Sequence, residues 1–243
     1  MSPLLEIVAE REDAELAGLA GEFGWGRVRC AAQPGDDAAA VVALGSAPLP
    51  AAAVRVRWLD GPAGAPEPGT RTIAQAGEGL WRKAPWPVAD SLFELRDPGG
   101  PALVVSADRE RREFYSGAMT DKGLPVVSAG RLTSSGLAKA AVVVFPTEAG
   151  EPLPATAMAV LAARRVLVTG RCGPAFGLFP EVDWFTAEHR DDIIQYADSV
   201  LKYPHAFATP RALGARAAAP HRASLAYGRL MADLALEGAR SPS

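Results

Sequence analysis

Short apolar runs bounded by turn residues recur along this chain and alternate with stretches of helical spacing. In the first half the runs are LLEIVA, GRVRCAA, AAVVALGS, VRVRWLDG and RTIAQ. They are mostly apolar, as strands covered on both faces should be. Between the first two, EDAELAGLAGEFG sets Leu16, Leu19, Ala20 and Phe23 along one helical stripe, with Gly24 as a stop. The second half alternates more cleanly. PALVVSA, LPVVSAG, AVVVFP and RVLVTG read as strands. DRERREFYSGAM, TSSGLAKA, the alanine-rich stretch after Pro154, and HRDDIIQYADSVLKY read as helices. Phe114 and Tyr115 are expected to face inward. A last helix over about 206–235 carries Leu213, Ala217, Leu225, Leu230 and Leu234, with a break or kink at Pro220.

Strand and helix alternating this often imply a parallel sheet wrapped by helices. The fold expected is α/β, two Rossmann-like doubly wound lobes with the N-terminal one abbreviated. RDPGGP (96–101) reads as the linker between them. It divides the chain into an abbreviated lobe over 1–98 and a second lobe over 99–243 that keeps the terminal helix.

Composition narrows the chemistry. The 243 residues are half apolar and carry a formal charge of −3, which gives no electrostatic reason to expect nucleic acid or an anionic membrane. Arg109, Arg111 and Arg112 alternate with acids and read as a solvated face. Cys30 and Cys172 stand alone, so neither a disulfide framework nor a zinc site is expected, and a reducing cytoplasm fits. The start, MSPLLEIVAERED, has no basic region of a signal peptide. No apolar run approaches the roughly 20 residues that span a bilayer. His189, His205 and His221 are dispersed, and no metal site is expected. GEFGWG has glycines but follows a helix, so it is no dinucleotide fingerprint.

In open parallel sheets, ligands sit beyond the carboxyl ends of the strands. Here those ends are VVSADRE, VVSAGR, VVFPTEAGEP and VLVTGRCG. The third ends at Pro146 and is followed by Glu148 and Glu151, then by Pro154, a residue suited to a first helical turn. The amides of Ala155, Thr156 and Ala157 would then suit a phosphate or diphosphate.

From GRLTSSGLAKAAVVVFPTEAGEPLP through RVLVTG and LFPEVDWF to HRASLAYGRL, over roughly residues 100–235, the chain resembles the C-terminal domain of GT-B-type glycosyltransferases. The likeness is to the bacterial group-1 kind, including its spore-maturation-like branch. The resemblance implies a nucleotide-diphosphate sugar as substrate, no cofactor, and a glutamate before the helix that contacts the donor sugar. Glu151, followed by proline, matches that glutamate, and Glu148 is its fallback. A second family glutamate, which holds the ribose, falls on Ala159. The branch's helix arginine falls on Thr156, and the usual glycine after the helix on Arg164.

Other candidates come from strand ends. Gly170 and Arg171, with Gly173, could meet a phosphate; a surface arginine is the plainer reading of Arg171. Gly45 and Ser46 would allow close ligand approach, or merely turn the chain. Asp60 could be the base that deprotonates an acceptor hydroxyl, or an aspartate bonding its own turn. Trp81 and Trp86 could stack a sugar or base, or seal the small lobe. Three functions remain open: transfer of a sugar to an unknown acceptor, a catalytically degenerate scaffold or regulatory relative that keeps the fold for a protein partner, or a nucleotide- or phosphate-binding Rossmann protein of another class.

Overall fold

A computed structural model describes residues 4–9, 15–18, 22–23, 26–30, 40–45, 49, 54–59, 65, 67–74, 78–96, 99–172 and 178–240. The chain forms two compact units, Met1–Asp90 with Pro220–Ser243, and Ser91–Ala219.

The first unit holds a sheet of β1 (Leu4–Val8), β2 (Glu22–Phe23), β3 (Gly26–Cys30), β4 (Ala40–Leu44), β5 (Arg55–Trp58), β6 (Thr70–Ala74) and β7 (Arg82–Lys83). Their order is β2-β3-β1-β4-β5-β6-β7, and all pairings are parallel except β2 with β3. Every residue of β4 is buried, as expected of a strand covered on both faces. The stripe placed on EDAELAGLAGEFG needs correction. Leu16 is buried and helical, but Phe23 lies in a strand that pairs with β3, and Leu19, Ala20 and Gly24 lie outside the described residues. Strand pairing there wins over helical spacing.

The second unit runs β8 (Ala102–Val105), α1 (Arg109–Asp121), β9 (Val126–Ala129), α2 (Ser134–Lys139), β10 (Val142–Phe145), α3 (Ala157–Ala162), β11 (Val166–Gly170), β12 (Phe185–Ala187), α4 (Arg190–Lys202) and α5 (Ala208–Ala218). Its sheet is wholly parallel, ordered β12-β11-β10-β8-β9. Ala102, Val104, Val142, Val144, Val166 and Val168 face Met119 of α1 and Ile193, Ile194, Ala197 and Val200 of α4. Strand alternation sends Leu103, Val143 and Leu167, also buried, to the other face. There α3 packs against α5. Each fully buried Ile or Val contributes roughly 1.5–3 kcal/mol. Phe114 departs from expectation: it is 55% exposed, with the Arg190 guanidinium 4.6 Å above its ring. Tyr115 packs against the core.

The boundary read at RDPGGP also needs correction. Residues on both sides of it belong to the second unit, where Arg96 O accepts from Arg165 (3.0 Å) and Pro101 O from the Ala141 amide (3.1 Å). Likewise, the long terminal helix is two helices. Pro220 lies in a 3-10 turn, Ala219–His221, and α6 (Ala223–Arg240) follows as part of the first unit. Its N-terminus is held by Asp90, whose carboxylate accepts from the Ser224 amide (3.0 Å), the Ser224 hydroxyl (3.0 Å) and Arg222 (3.2 Å). Tyr227 donates to Ala17 O (3.0 Å), and Arg82 pairs with Asp233 (2.6 Å). These bonds cannot be read from periodicity.

Candidate functional site

In the second unit the chain goes from β8 to β9 on one side, then returns to place β10 on the other. This is the 2-1-3-4-5 doubly wound order, and the loops after β8 and β10 leave in opposite directions. The carboxyl ends of these two strands are therefore where such a sheet receives a ligand.

One residue ties the two loops together. Asp108 caps α1 by accepting from the Arg111 amide (3.1 Å), which places Arg111 in the first turn beside the loop after β10. Its Nη1 donates to Pro146 O (3.2 Å) and to both Glu151 oxygens (3.1 Å to Oε1, 2.8 Å to Oε2). Its Nη2 donates to Glu148 Oε1 (2.8 Å), and its Nε lies 4.0 Å from Asp108 Oδ2. The Glu151 hydrogen bond holds the Arg111 guanidinium above its ordinary range.

The loop builds its own frame. The Glu151 amide donates to Glu148 O (3.0 Å), closing a turn whose third residue, Gly150, has φ 89°. That left-handed value is the type II requirement for glycine. Glu151 Oε2 then accepts from the Glu148 amide (2.8 Å). Partial burial pushes the Glu151 carboxyl upward, but the Glu148 amide and Arg111 outweigh it and leave the group below its ordinary value.

Glu148 and Glu151 thus meet around Arg111, a residue that the alternating charges of DRERRE disguise as solvated surface. The signal that could have found it is position: a first-turn arginine directly after the first strand of a doubly wound lobe. Arg112 is likewise engaged, donating to Ser106 O (2.6 Å).

The helix after this loop differs from expectation. It begins at Ala157 rather than near Pro154, and the Ala157 amide is spent on Pro154 O (2.9 Å). Ala155 and Ala157 are each 1% exposed, and Thr156 is half-buried with no side-chain cap bond. All six residues of α3, Ala159 included, are buried. A carboxylate in place of Ala159 would be desolvated there. This stretch is a packing helix along its length.

Gly170 and Arg171 have other partners. A Cβ on Gly170 would fall 1.9 Å from Thr147 O, and the Thr147 hydroxyl donates to Gly170 O (3.1 Å). The close approach made there is to the β10 loop itself. Arg171 pairs with Glu188 (2.6 Å), both largely exposed. In the first unit Trp86 is buried, donating to Trp58 O (3.3 Å), and Trp81 lies under Arg71 (5.4 Å). Gly45 faces Trp86. Asp60, Ser46 and Gly173 lie outside the described residues. Among the described residues, no group of three or more His, Cys, Asp or Glu side chains could hold a metal, and no helix is long and apolar enough to cross a membrane.

No protein-family model matches the chain, and no curated protein matches it in sequence. Solved structures do. HepE of Anabaena in complex with UDP-glucose is 9% identical, with a TM-score of 0.58 over 96% of this chain and 99% of that one. The same protein in complex with UDP gives 0.55 over 97% and 100%, at 9% identity. Sucrose-phosphate synthase of Thermosynechococcus elongatus gives 0.51 over 82% and 74%, at 12% identity.

The fold is of the GT-B type.

At these identities the likeness concerns the fold alone. It agrees with the expected pair of Rossmann-like lobes and with the short first one.

Proposed function

We propose that this protein binds a nucleotide-diphosphate sugar at the carboxyl ends of β8 and β10 and transfers the sugar to an acceptor hydroxyl or amine. The observation that carries this reading is the Arg111–Glu151 pair at the switch point of a GT-B-type fold. A guanidinium there offers charged, planar hydrogen bonding to phosphate oxygens. Glu151 has the complementary task. An ionised carboxylate has about four lone-pair sites. Arg111 and the Glu148 amide occupy two on Oε2 and one on Oε1. Among the described residues nothing takes the remaining Oε1 site, which can accept a sugar hydroxyl while the carboxylate stays fixed.

Around it, Thr156 at the mouth of α3 is a further hydroxyl for phosphate, whereas Ala155 and Ala157 shape the wall. Gly170 holds the β10 loop close through Thr147. That HepE was solved with UDP-glucose makes a uridine nucleotide sugar the first donor to test.

A second reading is favoured by Ala159. Its burial leaves α3 with no carboxylate for ribose hydroxyls, and the loss of a charged hydrogen bond costs about 1.5–3 kcal/mol. On that reading the chain binds nucleotide weakly and serves a protein partner without transfer. Thermal unfolding with UDP, GDP and their sugars separates the two, followed by assay of sugar release. Stabilisation that disappears in Glu151→Ala, with release of sugar, supports transfer. Stabilisation without release supports the second reading, and no stabilisation by any nucleotide removes transfer and favours the scaffold.

A further inference from the structure

We propose that Glu148 is a specificity-determining residue, an internal competitor that occupies the Nη2 edge of Arg111 until a ligand phosphate displaces it. The inference rests on the nucleotide-binding reading above. Two carboxylates share the guanidinium, and they are held very differently. Glu151 accepts from Arg111 at both oxygens and from the Glu148 amide, and its side chain is 41% exposed. Among the described residues, Glu148 makes one side-chain ion pair, 2.8 Å to Nη2, and is 72% exposed.

The turn does not need that side chain. It is closed by the Glu151 amide on Glu148 O, by the φ of Gly150, and by the Glu148 amide on Glu151. Swinging the Glu148 side chain into solvent therefore breaks one exposed ion pair and leaves the loop in place.

Charge makes the displacement necessary. Among the described residues, Asp108, Glu148 and Glu151 all pair with the Arg111 guanidinium, so this set of paired side chains carries excess negative charge and opposes an incoming diphosphate. Nη1 is committed to Glu151 and Pro146. Nη2 is the edge that can be vacated, and Glu148 is the group that can leave it. Exchange of a carboxylate for a phosphate oxygen conserves the hydrogen bond, so the toll on affinity is small. An exposed pair of this kind corresponds to roughly a two- to fivefold factor. A ligand with no phosphate does not meet Nη2 and is indifferent to Glu148. The residue thus sets how strongly the site selects for phosphate-bearing ligands.

The test is titration calorimetry of UDP and of uridine with the full chain, wild type and Glu148→Gln, at low and high salt. The expected result is UDP binding roughly two- to fivefold tighter in the variant, a gain that shrinks at high salt, and uridine binding unchanged. UDP binding that is equal or weaker in the variant while the wild type binds overturns the competitor role and leaves the nucleotide site standing. A gain shared by uridine overturns it as well, since it would reflect a general change in the loop. If neither protein binds UDP, the competitor role and the uridine-nucleotide reading fall together.

Discussion

Arg111 Nη1 stands 2.8 Å from Glu151 Oε2, joining the first turn of α1 to a loop 40 residues later. The bond fixes one group of each sign where a doubly wound sheet receives its ligand. Arg111→Met removes the cation and leaves Glu151 with the Glu148 amide alone. Charged hydrogen bonds of this kind contribute about 1.5–3 kcal/mol, so UDP affinity should fall about ten- to a hundredfold by calorimetry. Arg111→Lys should recover only part of it, because an ammonium cannot serve Nη1 and Nη2 partners together.

The pH dependence follows from Glu151. Its carboxyl lies below the ordinary value of 4.5 in the folded protein. The unfolded chain therefore takes up the proton first, and the native state is favoured by this group above pH 4.5. That contribution is lost as pH falls through the lower, folded value. Melting temperature measured from pH 6 to pH 3 should show wild type and Glu151→Gln converging as the solution becomes acidic. Curves that stay parallel contradict the assignment.

Arg164 follows α3 with φ 55°, a left-handed conformation. Its amide bonds Leu161 O (3.0 Å) and the Arg165 amide bonds Val160 O (3.1 Å), the Schellman closure in which glycine is at ease. Arg164 is exposed. Arg164→Gly should stabilise the protein by about 1 kcal/mol, since the new residue adopts this φ without strain. A denaturant midpoint shifted upward with unchanged slope is the expected readout.

Gly170 is constrained in the opposite sense. In Gly170→Ala the new methyl would collide with Thr147 O, so β11 or the β10 loop must move. Overpacking of this kind costs about 1–3 kcal/mol or more. The variant should melt lower and lose UDP affinity, because the displaced loop carries Glu151.

Sequence pattern conveyed the second unit well, and for a physical reason. AVVVF and VLVTG are buried on both faces, so their hydrophobicity is continuous and their ends are marked by Pro146 and Gly170. Glu148 and Glu151 were visible as acids between a strand and a proline. Arg111 was not, because its meaning comes from partners at 146, 148 and 151 rather than from its neighbours. Arg165 was hidden similarly. It looks like a strand residue, yet it is 2% exposed and donates to Leu137 O (2.9 Å) at the end of α2 and to Arg96 O (3.0 Å). The membership of α6 in the first unit also depends on distant bonds, those of Asp90 and Tyr227. Local spacing decides which segments become strands and helices; such long-range polar contacts decide what they build.

The most direct measurement is amide chemical-shift mapping of the isotope-labelled protein with UDP-glucose. A nucleotide-diphosphate sugar bound between the loops after β8 and β10 predicts shifts concentrated at residues 106–112 and 147–157. Saturation with no shifts in those two loops, or shifts confined to another part of the chain, would contradict it.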